Sequence, residues 1–290
     1  MSENITGRID LYYDSLSKGH KKIADFIRLN YEKSSFMTAA ELGRAVGVSE
    51  STVVRFASNI GLSGYPELQK KLQEMVKSRL TSVQRMEAAK RYEGKGLIES
   101  ALSSDIDMIK KTLERVPRDD FYGAVSAVNR AERIYILGVR SSASIASFAA
   151  LYMSFLYDVV LVDTSATSEM FEQMLRIGPN DVCIAISFPR YSSRTVNALR
   201  FARSRGAEII SVTDSDISPI APLATYLLPA QSSMVSFVDS LTAPLSLVTA
   251  LVAACVEERG GDIQTDLEEL EKIWDEYHVY RTGEEDADGH

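Results

Sequence analysis

The sequence predicts an α/β protein with an N-terminal all-α domain, a helix-turn-helix bundle followed by a doubly wound, five-stranded parallel sheet. Two observations predict it. Residues 38–58 are patterned as two short helices around a tight turn, flanked on both sides by helical apolar spacing. From residue 133 the pattern changes to short, fully apolar, β-branched runs alternating with helices, as in a parallel sheet covered on both faces. A chain of 290 residues is long enough for two such units with proper cores.

In order along the chain, Ile9, Leu16, Ile23, Phe26 and Ile27 recur at helical spacing within residues 5–36. In 38–58, Leu42, Val46, Val48, Val53 and Phe56 are the apolar positions that clamp the two short helices together. Gly43 is small where the helices cross, and Gly47 sits where the turn needs positive φ. Ser49 is placed to cap the second helix. That helix then turns Glu50, Ser51, Thr52 and Arg55 outward, short polar groups and one long cation suited to base edges in a major groove. With Thr38 and Ser49 they form the candidate DNA-contacting set. An ordinary helical hairpin is the competing reading, and it gives the outward polar set no role.

After a Gly61–Pro66 turn, Leu68, Leu72, Met75, Val76 and Leu80 line one side of another helix. Lys90–Gly96 is polar with two glycines and reads as the inter-domain linker, and a helix at about 97–115 ends before Pro117. The expected strands are 133–137, 159–162, 181–187, 208–212 and 225–228. Helices start near Ser142, Ser168, Ser193 and Ser218, and a final helix runs from about Val238 to Glu258. The expected division is 1–80 for the DNA-binding domain, 81–118 for a helical linker, 119–262 for the effector-binding domain, and 263–290 for a C-terminal helix and acidic tail.

Charge follows the same division. The net charge is −8, yet residues 1–80 hold 12 Lys+Arg against 9 Asp+Glu, whereas the rest holds 20 against 31. The basic excess therefore lies with the helix-turn-helix, where phosphate neutralisation requires it. Cys183 and Cys255 sit in apolar runs without partner spacing and read as buried thiols of a reducing cytoplasm, neither disulfide nor metal ligands. No basic-then-apolar leader pattern opens the sequence, and the apolar stretch 241–256 is interrupted and too short to span a bilayer, so no membrane partner is expected.

In an open parallel sheet, ligands bind beyond the carboxyl ends of the strands where strand order reverses. The loops after the first and third strands are Gly138-Val-Arg-Ser-Ser142 and Ser187-Phe-Pro-Arg-Tyr-Ser-Ser-Arg-Thr195. Both join hydroxyls to arginines and lead into a helix N-terminus, so backbone N–H groups, helix dipoles and charged donors converge on an anion. The candidate ligand set is Arg140, Ser141, Ser142, Ser187, Arg190, Tyr191, Ser192, Arg194 and Thr195. The competing reading makes the serines helix caps and the arginines solvated.

The whole chain resembles the RpiR family of bacterial transcription regulators, in which a helix-turn-helix precedes a sugar isomerase (SIS) domain. The residues that carry the resemblance are Val48-Ser-Glu-Ser-Thr-Val-Val-Arg-Phe56 followed by Gly61-Leu-Ser-Gly-Tyr-Pro-Glu-Leu68. It implies a regulator that senses a phosphorylated sugar and controls the operon that metabolises it. It also places Ser141 and Ser142 on the first ligand loop and Ser187 and Ser192 on the second, usually a Ser-x-Ser-Gly-x-Thr-like run. This sequence departs from that pattern. Arg140 stands where a second glycine is usual, and Phe188-Pro-Arg-Tyr191 replaces a small Ser/Gly stretch, which keeps a sugar acid or other carboxylate open beside a sugar phosphate.

The rival class is an SIS isomerase or deaminase, whose chemistry needs a positioned base. The three histidines, His20, His278 and His290, fall outside the strand–helix region, and Asp163, Glu169 and Asp239 read as solvated or capping. No catalytic residue, metal or cofactor is therefore expected. The expected partners are a double-stranded DNA operator, a small anionic carbohydrate-derived effector and a second copy or more of the chain. The homodimer or homotetramer would be built through helix 142–157 (Ile145, Phe148, Ala149, Tyr152) and the final helix.

Overall fold

The computed structural model describes residues 5–79, 96–165, 167–234, 238–260 and 263–280. The expected linker at 90–95, Leu80 and the acidic tail beyond 280 lie outside the described residues.

Among the described residues, six α-helices form the N-terminal part: α1 (Ile5–Tyr12), α2 (Lys18–Leu29), α3 (Tyr31–Phe36), α4 (Ala39–Val46), α5 (Glu50–Asn59) and α6 (Tyr65–Arg79). They enclose one apolar core in which Ile9, Ile23, Ile27, Leu42, Val53, Phe56, Leu68 and Leu72 are buried, with Val46 and Val48 packed at its edge. Tyr65 ties α6 to the chain before α4 by donating to the Met37 carbonyl at 2.7 Å.

The second part begins with α7 (Leu97–Arg115) and α8 (Arg118–Arg130), then alternates β1 (Ile134–Gly138), α9 (Ser142–Met153), β2 (Val159–Leu161), α10 (Thr167–Gln173), β3 (Val182–Ile186), α11 (Ser193–Ser204), β4 (Glu208–Thr213) and β5 (Tyr226–Pro229). A short hairpin, β6 (Ser233–Met234) with β7 (Asp239–Ser240), precedes α12 (Thr242–Arg259) and α13 (Ile263–Glu276). The five long strands are parallel in the order β2-β1-β3-β4-β5. Alternate side chains divide between two cores. Ile134, Ile136, Val182, Ile184, Ile210 and Val212 pack with α8, α9 and α12, whereas Tyr135, Leu137, Cys183, Ala185 and Ile209 pack with α10 and α11. This is the doubly wound sheet that the apolar runs predict.

Two expectations need correction, and one helix has no counterpart among them. No helix starts near Ser218: the segment makes a single 3-10 turn, Ala221–Leu223, because Pro219 and Pro222 deny the backbone donors that a longer helix needs. Helix α8 was not foreseen from the pattern, since its buried face is largely small residues, Ala124, Val125, Ala127 and Val128. The final helix starts at Thr242, after the β6–β7 hairpin, rather than at Val238.

Of the expected helical linker 81–118, α7 is fastened to the sheet unit. Asp105 accepts from Ser240 Oγ at 2.5 Å and from Thr242 Oγ1 at 2.9 Å, and Gln231 N donates to Thr112 Oγ1 at 2.8 Å. Among the described residues no helix is long and apolar enough to cross a membrane.

Candidate functional site

The candidate residues lie on two surfaces, one on α5 and one at the carboxyl edge of the sheet. On the first, the local sequence fixes the geometry. Gly47 ends α4 at φ 72°, the left-handed turn that only glycine adopts freely. A Cβ on Gly43 would stand 2.8 Å from the Val48 carbonyl oxygen, so the two helices can meet this closely only over glycine. Ser49 caps α5 by accepting from Thr52 N at 3.3 Å, and its hydroxyl also lies 2.9 Å from Ser51 Oγ and 2.8 Å from Thr52 Oγ1. Arg55 is exposed, with Nε held 3.2 Å from the Ser51 carbonyl, which aims its guanidinium along the outer face of the helix.

Glu50, Ser51 and Arg55 therefore share the exposed side that the sequence assigns them, with Ser49 at its head and Thr52 half-buried behind it. Thr38, also exposed, forms a capping box with Glu41, donating from N to Oε2 at 2.8 Å and accepting from Glu41 N at 3.2 Å. The Thr38 N–H and hydroxyl, which donate to Glu41 Oε2 at 2.8 and 3.0 Å, hold the Glu41 carboxyl below its usual pKa.

Sequence reasoning missed two features here. Val54, 41% exposed, puts an apolar group beside Arg55, the kind that meets a thymine methyl. At Gly19, in the first turn of α2, an added Cβ would stand 3.7 Å from the Val48 and Thr52 side chains. The Ser17-capped start of α2, with exposed Lys18, thus lies beside the start of α5. The serine-cap pattern at Ser17 was the available signal.

Between α2 and α5, His20 is buried, edge-on to Phe56 with ring centroids 5.8 Å apart and Nδ1 3.2 Å from Asn59 Nδ2. Burial lowers its pKa below the ordinary 6.5; a backbone hydrogen bond with Thr52 opposes that, and the nearby Arg55 charge adds to it.

At the sheet, β1 and β3 are neighbours whose following helices leave for opposite faces, α9 toward β2 and α11 toward β4. The crevice between their loops is the switch point of the fold. Gly138 closes one side of it, since a Cβ there would sit 2.4 Å from the Ser142 carbonyl oxygen. Each loop then turns through an arginine in the left-handed region, Arg140 at φ 59° and Arg190 at φ 74°. Ordinary side chains avoid this conformation by about 1–2 kcal/mol, and residues held in it cluster at functional sites.

Both of those arginines are exposed, and both stand next to helix starts. Helix α9 opens without a side-chain cap, and α11 opens on Ser192, whose Oγ accepts from Arg194 N at 3.2 Å. Ser142 and Ser187 are buried at the base of the loops, and Ser141 is exposed. Thr195 is fully buried in the first turn of α11, and its hydroxyl has no hydrogen-bond partner among the described residues.

Arg194 and Tyr191 are engaged with protein. Arg194 Nη1 donates to the Thr164 and Ser165 carbonyls at 2.9 and 3.4 Å, tying α11 to the loop after β2. Thr164 Oγ1 in turn donates to the Gly138 carbonyl at 3.2 Å, so that loop braces both walls. Tyr191 donates to Asp214 Oδ1 at 2.6 Å. Phe188, the first of the bulky replacements, packs into the core. Asp163 accepts from Ser165 N at 2.8 Å and Ser165 Oγ at 3.0 Å, which lowers its pKa and makes it a weak base.

The chain matches two family models, the helix-turn-helix domain of the rpiR family over residues 3–79 and the SIS domain over residues 128–254. Among curated relatives, the HTH-type transcriptional regulator HexR of Pseudomonas aeruginosa is 27% identical over 281 residues, spanning 93% of this chain and 95% of its own length. The structure of the Vibrio vulnificus NanR protein complexed with ManNAc-6P superposes with a TM-score of 0.60 at 21% identity, covering 96% of this chain and all of that one. The sugar isomerase domain of an RpiR transcription factor from Sphaerobacter thermophilus gives a TM-score of 0.57 at 26% identity, over 61% of this chain and 99% of that one.

Proposed function

The chain belongs to the RpiR family of transcriptional regulators, a helix-turn-helix domain joined to an SIS domain, and from that premise we propose that it senses an anionic sugar-derived metabolite, a sugar phosphate or sugar acid, and controls a catabolic operon from the cytoplasm. The observation that carries the reading is the pair of left-handed arginines, Arg140 and Arg190, at the two loops of the switch-point crevice. Each cation stands beside a helix N-terminus, and the two kinds of donor reinforce one another toward an anion. The NanR relative, complexed with a phosphorylated amino sugar, supports a ligand of this class. DNA is read by Ser51, Val54 and Arg55, while the adjoining starts of α2 and α5 hold phosphates.

The same geometry disfavours an isomerase. Asp163 is acidified by its own loop and Asp214 is bonded to Tyr191, so neither is a poised base.

The test is a gel-shift titration of genomic fragments flanking the gene that encodes the chain, with and without a panel of sugar phosphates and sugar acids. One fragment is bound specifically, and one anionic ligand changes that affinity. A neutral sugar acting as well as its phosphate or acid would refute the anion site.

A further inference from the structure

Beyond the crevice, a path of hydrogen bonds runs from the loop after β3 to helix α7. Asp214, which accepts from Tyr191, presents its backbone carbonyl to Gln231 Nε2 at 3.0 Å. Gln231 N then donates to Thr112 Oγ1 at 2.8 Å, and that hydroxyl donates to the Met108 carbonyl at 2.8 Å within α7. A carboxylate or carbonyl only accepts and an amide N–H only donates, so donor meets acceptor at every link. Thr112 is buried, where a polar group stripped of its partner costs more than the bond itself contributes. Helix α7 therefore keeps its grip on residue 231.

Gln231 stands in the middle of this path with two different groups. Its side chain reaches the residue after β4, and its backbone reaches α7. The residue before it is fixed, since Ala230 is fully buried and its N donates to the Thr213 carbonyl at 2.7 Å, extending the β4–β5 ladder. Helix α7 is held again nearer its N-terminus, where Asp105 accepts from Ser240 and Thr242. Residues 105 and 112 lie about two turns apart, on one face of the helix. Both grips come from residues that follow β5.

We propose that Gln231 is the positioning residue through which the state of the effector loop reaches the DNA-binding domain. An anion on Arg190 draws on the loop that carries Tyr191. Tyr191 passes the movement to Asp214, and Gln231 passes it to the C-terminal half of α7. With Asp105 held, a shift at Thr112 changes the tilt of α7, and the chain runs from the N-terminal end of that helix back to the DNA-binding domain. Coupling between distant sites is carried by contiguous networks of this kind, in which hydrogen bonds polarise one another. The route rests on the effector reading for its input and adds the way that input leaves the crevice.

The test sets the full chain beside three variants. Gln231→Met keeps the side chain's length without its donor, Thr112→Val keeps the shape without the hydroxyl, and Thr112→Ser retains the hydroxyl. Hydrogen exchange without any anion reads the path itself. Residues 190–192 and 214–216 should exchange about fivefold faster in Gln231→Met and Thr112→Val, the equivalent of one net hydrogen bond, and at the parent's rate in Thr112→Ser. Residues 134–138 of β1 should be unchanged in all three. Gel shifts on the same samples, with 6-phosphogluconate as a probe bearing both a phosphate and a carboxylate, read the use of the path. The probe should change the parent's DNA affinity by roughly 5- to 150-fold. Gln231→Met and Thr112→Val should bind DNA like the parent without the probe and lose most of that change, whereas Thr112→Ser should keep it. Faster exchange confined to residues 108–112 and 230–232, or a full response to the probe in both defective variants, would overturn the path. Faster exchange at 190–192 beside a parent that ignores the probe counts against the anion reading alone. A responsive parent whose loop exchange is unchanged in both variants counts against the path alone.

Discussion

The Tyr191 hydroxyl donates to Asp214 Oδ1 at 2.6 Å, joining the loop after β3 to the end of β4. With Arg194 bound to the Thr164 carbonyl and Thr164 bound to Gly138, the loops after β1, β2, β3 and β4 form one braced rim. A rim held in this way is preorganised, and an anion entering it pays little to order its donors.

Arg190→Gly separates charge from backbone. Glycine adopts φ 74° freely, so the variant should keep the left-handed turn of the loop and still melt cooperatively. Loss of a charged donor should weaken effector binding by roughly 1.5–3 kcal/mol, about one to two decades in affinity. Titration calorimetry beside thermal melting checks both halves. Unchanged affinity would place the anion elsewhere.

Ser49→Ala and Arg55→Ala should fail in different ways. Ser49 satisfies the start of α5, so its loss should cost about 1 kcal/mol of stability. Arg55 is exposed and should leave stability unchanged, while specific DNA binding falls by roughly 1–3 kcal/mol. Chemical denaturation paired with fluorescence anisotropy on the operator distinguishes them. Arg55→Ala with full DNA affinity would mean that α5 does not read bases.

His20 predicts a pH dependence. Its pKa is lowered by burial, so the native state holds the neutral ring and the unfolded chain binds the extra proton. This contribution is complete above the ordinary value of about 6.5 and is lost as pH falls below it toward the depressed folded value. Melting temperatures between pH 7.5 and 5.5 should therefore fall more steeply for the parent than for His20→Gln. Identical slopes would remove His20 from the account.

Gly138→Ala should overpack the start of α9, because the new methyl would meet backbone at Ser142 that cannot move aside. The expected loss is about 1–3 kcal/mol, readable as a lower melting temperature. A melting temperature equal to the parent's would show that β1 and α9 can separate without loss.

The strands and the helix-turn-helix were legible because their signals are local. Runs such as Val182–Ile186 are apolar throughout, and Gly47 and Ser49 are set by turn and cap chemistry. Helix α8 escaped notice because alanines give a faint stripe, and the β6–β7 hairpin because two-residue strands have no period. The loops after β1 and β3 were legible as anion-binding, yet the roles within them depend on long-range geometry. No pattern near residue 194 shows that its guanidinium reaches carbonyls 30 residues earlier, and none shows that an arginine rather than a glycine takes the left-handed turn.

The most direct test of an effector crevice between β1 and β3 is hydrogen exchange on the full chain, with and without the anionic ligand that shifts its melting temperature most. At 100 times its dissociation constant that ligand should stabilise by about 2.7 kcal/mol. Exchange should slow at residues 139–143 and 188–196, the two loops and the first turns of α9 and α11. Protection confined to other segments, with these two unchanged, would contradict the account.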